Sequence, residues 1–347
     1  MSLYEKVLGC LYGVGVGDAL GMPTEFLTPE QIKALYGEVR TFHKTPEWHP
    51  LRDLPAGSMT DDTEQTLVVA QVIIEKPNFK APDIAQGLLK WAEHLDLSSL
   101  DHMGPSTNYA LRRLREGADP YQTGLRGNTN GAAMRIAPVG CIHAGKPEDV
   151  LDDVIETCAP THLTDVAIAG AAAVACGIAE ALKPDATLEG VLDAMFLGAE
   201  EGTHRAKEVI ALATEGRVPW EVMAAQINPS LVDRMHWALD VVTKAKGSPA
   251  ERRDVLARAV GTGAFMIETI PFVVGVLIIA EGDPFEAIVL SANAGGDTDS
   301  LAAISGAIAG ALRGAAAIPA QLVQQFEQVN GVSFAPIAAA LVERVKS

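Results

Sequence analysis

The residues best suited to chemistry stand in two short stretches far apart in the chain. Asn293 to Ser300 reads Asn-Ala-Gly-Gly-Asp-Thr-Asp-Ser and runs into a small-residue helix expected over Leu301 to Leu312. Asp297 and Asp299 are separated by one residue, so in an extended turn their carboxylates point the same way, with the hydroxyl of Ser300 at the mouth of the helix. Such a nest offers hard oxygen acceptors and no soft ligand, which suits magnesium, manganese or calcium better than zinc. Gly295 and Gly296 let the backbone turn sharply and approach a bound group. Asp and Ser are also ordinary helix caps, so capping alone is a competing account. The second stretch, Thr60-Asp61-Asp62-Thr63-Glu64, also opens an apolar helix. Asp61 and Glu64 have capping-box spacing, yet a cap does not explain Asp61 beside Asp62, whose mutual repulsion costs free energy unless a cation or donors relieve it.

Weaker candidates lie between these stretches. Glu25 is a carboxylate on the turn that ends the first helix. Gly124 to Arg135 is a glycine and asparagine loop running into a helix, a composition that exposes backbone N–H groups to an anion such as a diphosphate. It lacks the Lys-Ser/Thr of a P-loop, so hydrolysis of a nucleoside triphosphate is not expected. His162 stands at the entrance of an alanine-rich helix, where a capping or core role competes with a functional one. Gly261 to Phe265 is a tight glycine turn before another apolar helix.

The elements that must hold these residues are helices. Leu3 to Leu20 carries Gly9, Gly13 and Gly17, with Gly21 just beyond, and the helix after Ser300 carries Gly306, Gly310 and Gly314, also spaced by four. Glycine weakens a helix, so each stripe implies a backbone packed closely against it, and the two stripes are expected to face each other. Helices are also expected over Asp62 to Ile74, Ala81 to His94, Thr107 to Arg115, Asp165 to Leu182 and Asp283 to Ala292. Four or five amphipathic ones fill Thr187 to Val260, among them Thr203 to Thr214 and Ser230 to Ala245, as scaffold. Residues 37 to 57 lack periodicity and read as a loop. No alternating strand pattern and no Pro/Ser/Gly linker appears, so the reading is one compact all-α domain over residues 1–347.

Composition bounds the partners. With 48% hydrophobic but only 5% aromatic residues, the core is built by close helix packing more than by large rings. A formal charge of -17 argues against nucleic acid or an anionic membrane surface, so an anionic substrate needs a local positive centre, which bound metal ions supply. Cys10, Cys141, Cys158 and Cys176 have no zinc-ligand spacing and read as buried thiols in a reducing compartment. No signal-peptide pattern or membrane-length apolar run is seen, and the expectation is a cytoplasmic protein.

Four motifs together resemble the ADP-ribosylglycohydrolase family, which includes the dinitrogenase-reductase-activating glycohydrolases: Gly-Asp-Ala-Leu-Gly at 17 to 21, Thr-Asp-Asp-Thr at 60 to 63, Asn-Gly-Ala-Ala-Met-Arg at 130 to 135 and Gly-Gly-Asp-Thr-Asp-Ser at 295 to 300. They fall in the family's order and span nearly the whole chain. The resemblance implies an orthogonal helical bundle with two divalent cations, Mg2+ or Mn2+, at its centre, and hydrolysis of the bond between ribose C1 and a nitrogen or oxygen. It implies metal ligands at Thr60, Asp61, Asp62, Asp297, Asp299 and Ser300, where serine replaces the usual threonine and keeps the hydroxyl. Glu25 matches the family's mobile glutamate, and Asp101 resembles an acidic position before a Gly-x-Ser/Thr-Thr pattern; these two are the catalytic candidates. Gly127, Asn128, Thr129, Asn130 and Gly131 would hold diphosphate or ribose, with His162 next to the ribose. Apart from the resemblance, the sparse aromatic content disfavours a strong base-stacking site, with Phe265 the candidate for one wall.

The substrate expected is ADP-ribose on an arginine or serine of a protein, or on a small compound. Arg126, Arg135 and the backbone of the 127–131 loop favour a phosphate-bearing substrate. The alternatives are a hydrolase of smaller ribosylated metabolites or nucleosides, and a non-catalytic metal-binding or structural member. The oligomeric state is not legible in the sequence.

Overall fold

The computed structural model describes residues 1–95, 103–225 and 228–345. Among them the chain is all-α, as expected: helices follow one another through turns and loops, no strand forms, and the extended pairing present is an isolated bridge between Thr129 and Phe265. The helices that carry or support the site are α1 (Leu3–Gly21), α2 (Asp61–Glu75), α3 (Pro105–Arg115), α4 (Asp165–Ala181), α5 (Leu188–Ala213), α6 (Met266–Ile279) and α7 (Thr298–Arg313).

The glycine stripes of α1 and α7 do face each other, and the helices touch through main chain. A Cβ on Gly13 would stand 2.0 Å from the carbonyl oxygen of Gly306, and one on Gly310 would stand 2.1 Å from that of Gly9. Only hydrogen fits at these positions. The contacts run Gly9 to Gly310, Gly13 to Gly306 and Gly21 to Thr298, so the helices are antiparallel and the C-terminal end of α1 meets the N-terminal end of α7. Lys6 is buried nearby, and its Nζ donates to the carbonyls of Ala181 and Lys183 at 2.7 Å each, fixing the far end of α1 against the end of α4.

Thr164 caps α4, and the alanine-rich helix is buried along almost its whole length. It packs on α5 by the same device, since a Cβ on Gly198 would meet the carbonyl oxygen of Ala172 at 2.5 Å. This contact corrects the expected Thr203 to Thr214 segment, which is the second half of one continuous 26-residue helix. Gly198 and Gly202 are contact points on α4, not breaks. Between α5 and Val260 the described residues form three more helices, Trp220–Ala225, Leu231–Lys244 and Pro249–Val260. A short helix at Pro29–Tyr36, closed by a capping box between Thr28 and Gln31, goes beyond the sequence reading. The loop at 37 to 57 is as expected, and Asn293 seats it by bonding both the N–H and the carbonyl of Val39 at 2.9 Å.

Candidate metal and substrate site

The turn that follows α1, the loop at 49 to 60, the starts of α2, α3 and α7 and the loop at 129 to 131 line a cavity of about 800 Å³. One wall is acidic. Glu25, Asp61, Asp62, Asp297 and Asp299 all line it, with Thr60 and Ser300 beside them. The two stretches singled out in the sequence therefore meet. Glu25, Asp297 and Asp299 each place an oxygen within 4.8 Å of the others.

Capping does not account for these acids. Thr60, not Asp61, is the N-cap of α2, accepting from Asp62 N–H at 3.4 Å, so Asp61 and Glu64 form no capping box. Asp297 occupies the N-cap position of α7 without a side-chain cap bond; its Oδ2 accepts instead from the Asn130 amide at 2.6 Å. Helix α7 begins at Thr298, a turn earlier than expected, which places Asp299 and Ser300 within its first turn. Gly295 and Gly296 have φ of 78° and 82°, and their close approach is to main chain: a Cβ there would strike the carbonyl oxygens of Leu27 and Thr262 at 2.7 and 2.3 Å. They lock the acidic turn against two other segments.

The electrostatics of the wall are unfavourable on their own. Burial, then the charges of neighbouring carboxylates, push Glu25, Asp61, Asp62 and Asp299 well above the usual carboxylate range. Asp297 is raised by burial and held back by hydrogen bonds from Asn130 and Ser300. Asp62 Oδ1 and Asp299 Oδ1 are buried with no hydrogen-bond partner. Buried, unpartnered carboxylate oxygens are what a divalent cation with oxygen preference satisfies, so the donor set fits a hard divalent cation.

A neutral loop adjoins the acids, with the Asn130 amide on Asp297. Thr129, Asn130 and Gly131 line the cavity, and the loop is pinned from behind: Asn130 N–H donates to Ala264 O at 2.8 Å and Met266 N–H to Asn128 O at 3.2 Å. Gly127 and Asn128 lie away from the cavity lining, and Gly127 is where the loop presses on the next segment, since a Cβ there would meet Thr161 O at 2.1 Å. His162 is fully buried behind the loop, bonded to Thr129 Oγ1 through Nε2 at 2.9 Å and to Thr161 Oγ1 through Nδ1 at 2.7 Å. Burial holds it neutral, its pKa well below the usual range. Phe265 is outside the lining and half exposed; its backbone bridges to Thr129, and Ala264 takes the place at the cavity. Asp101 lies outside the described residues.

The expected role of the arginines is corrected. Arg135 is completely buried and bonds Gln65 and Thr161, while Arg126 is exposed and stacks over Tyr109 with its guanidinium 5.0 Å from the ring centre. Neither lines the cavity.

Two residues at the site were not singled out from sequence. Asp18, fully buried on α1, accepts from Thr60 N–H at 2.9 Å, Thr60 Oγ1 at 2.8 Å, and Thr63 N–H and Oγ1. It fixes the Thr60 hydroxyl and the start of α2. Burial raises it to about 6 against these bonds. An acid in the glycine- and valine-rich part of α1, inside the Gly-Asp-Ala-Leu-Gly motif, was the signal available. His49, also fully buried, accepts from Leu51 N–H at Nδ1 and so carries its proton on Nε2, which has no partner and faces Glu25 Oε2 at 3.6 Å. Nothing in the loop sequence marks it out.

The helical fold gathers carboxylates from helix ends into one cavity beside the neutral loop at 129 to 131, an arrangement suited to hydrolytic chemistry. The family model for ADP-ribosylglycohydrolase matches residues 1–347, and this chain belongs to that family. It is a hydrolase acting on glycosidic bonds. It is 33% identical over 342 residues to the uncharacterized protein YegU of Escherichia coli (strain K12), covering 98% of this chain and 97% of that one. Over 164 residues it is 31% identical to a Rhodospirillum rubrum glycohydrolase named for ADP-ribosyl-dinitrogen reductase, covering 46% and 52% of the two chains. A solved structure described as an ADP-ribosylglycohydrolase-related protein complex shares the fold, with a TM-score of 0.66, 24% identity and 99% of each chain covered. No helix among the described residues is long and apolar enough to cross a membrane.

Proposed function

We propose that the chain works as one domain over residues 1–347 and removes ADP-ribose from a modified protein residue, arginine or serine, or from a small ADP-ribosylated compound, in a metal-dependent reaction. The observation that carries this is the pair of buried, unpartnered oxygens on Asp62 and Asp299, set among mutually repelling carboxylates beside a neutral loop. Thr60, Asp61, Asp62, Asp297, Asp299 and Ser300 would hold two divalent cations, Mg2+ or Mn2+. Such ions, when bound, supply Lewis-acid polarisation of oxygen and lower the pKa of water.

The chain's own residues supply the rest. The acidic wall favours positive charge developing at ribose C1 as the glycosidic bond lengthens. Glu25 reaches the cavity at the edge of that wall and is the group that moves a proton at its carboxylate, with the Nε2–H of His49 behind it. Asn130 ties the loop to the acids through Asp297, and Thr129 and Gly131 meet the polar groups of the substrate. The name of the Rhodospirillum relative supports a protein-borne ADP-ribose, and four buried free thiols fit a reducing, cytoplasmic setting.

The test is release of ADP-ribose from an ADP-ribosylated arginine peptide beside a ribonucleoside panel, with and without Mg2+ or Mn2+, on wild type and Asp299→Ala. Metal-dependent release lost in the variant supports the proposal. Cleavage of a nucleoside alone moves the assignment to smaller ribosylated metabolites, and silence on both with metal bound points to a non-catalytic member.

A further inference from the structure

Arg135 heads the largest fully buried side chains of the molecule, and its guanidinium is held by two neutral acceptors. Nη1 donates to Gln65 Oε1 at 2.7 Å, and Nη2 donates to Thr161 Oγ1. A cation buried on neutral partners costs free energy that a neutral side chain would not. What it supplies is direction: guanidinium only donates, so each partner must present an acceptor to it and turn its own donor away.

On one side, Gln65 must present Oε1 to Arg135, which leaves its Nε2 facing Asp61 Oδ2 at 2.8 Å. On the other, Thr161 Oγ1 accepts from Arg135, and its proton has one neighbour left, His162 Nδ1 at 2.7 Å. The opposite arrangement would strand a buried hydroxyl proton. His162, neutral, then carries its proton on Nε2 and donates to Thr129 Oγ1 at 2.9 Å. Thr129, having accepted, keeps its own proton for an acceptor in the cavity it lines.

We propose that Arg135 is a positioning residue that sets the direction of two hydrogen-bond chains, one ending on Asp61 and the other turning the Thr129 hydroxyl into a donor toward a substrate oxygen. The first chain satisfies one oxygen of Asp61 and leaves the other for a cation. The second aims a donor at an oxygen acceptor of the ADP-ribose unit, and this half rests on the function proposed above.

Nitrogen-15 spectra of the full chain labelled at histidine read the tautomer without substrate or cation. The expected result is His162 protonated on Nε2 and bare on Nδ1; a ring protonated on Nδ1 overturns the proposal. Arg135→Met removes the source of direction, and because it risks failing to fold, Thr161→Val and Gln65→Leu cut one chain each. Thr161→Val should leave His162 a mixture of tautomers with Mn2+ affinity unchanged. Gln65→Leu should weaken Mn2+ binding by about tenfold with the tautomer unchanged. Equal effects of both variants on both readouts would mean general loosening and would overturn it. For ADP-ribose, Thr129→Val should weaken binding about tenfold and Thr129→Ser should restore it; equal binding by all three overturns the donor half. A wild-type chain with the expected tautomer that binds no ADP-ribose sinks the function reading and the target of that donor, while the role of Arg135 stands.

Discussion

The α1–α7 pair and the α5 layer are both glycine-bearing helices, but only the first ends in the site. Along α1 and α7, glycine after glycine places main chain on main chain, so the register of the two helices is fixed and with it the meeting of Asp18, Thr60, Asp297 and Asp299. Along α5, contact through glycine is confined to the part facing α4, and the far end carries exposed apolar residues such as Leu212. Glycine here gives positional accuracy to charged groups, whereas the α5 end has room to vary.

The largest expected effect breaks the first region. Gly13→Ala forces a methyl onto the Gly306 carbonyl, and we expect a loss of at least about 3 kcal/mol of stability, read by denaturant unfolding. Next is the charge conflict at the helix ends. Asp62→Asn removes one of the repelling buried carboxylates, so the cation-free protein should gain stability while turnover is lost; a loss of stability instead would mean that repulsion does not govern that wall.

The same conflict sets a pH dependence. The folded-state pKa values of these acids are raised, so their contribution to stability is fully present below the unfolded values and is lost as pH rises through the folded ones. For Asp18 that window runs from 3.8 to about 6. Cation-free protein should therefore become less stable across this window, and Mn2+ affinity should tighten as pH rises, since binding displaces protons. Calorimetry at several pH values checks both signs. The smallest effect falls in the second region, where Leu212→Ser, at a residue 78% exposed, should change stability by no more than about 0.5 kcal/mol.

Much of this was legible because its signals are local. Glycines spaced by four announce a close helix contact, and adjacent Asp61 and Asp62 announce repulsion that something must relieve. The bounds of α7 shifted because Asp297 to Ser300 reads equally as turn or first helical turn until the Asn130 bond to Asp297 is seen. Arg135 was misplaced and Asp18 passed over for one reason. Whether a polar side chain faces the cavity or lies behind its wall depends on neighbours distant in sequence, such as Gln65, Thr161 and Thr60. Phe265 is a similar case, where backbone pairing with Thr129 governs the position and the ring plays no part in the lining.

The central claim is that these acids are brought together to hold divalent cations. The most direct measurement is titration of cation-stripped full-length protein with Mn2+, followed by calorimetry, on wild type and Asp299→Ala. Two ions per chain in the wild type and loss of binding in the variant are the predicted result. A wild-type chain that binds none, or a variant that binds as the wild type does, would contradict it.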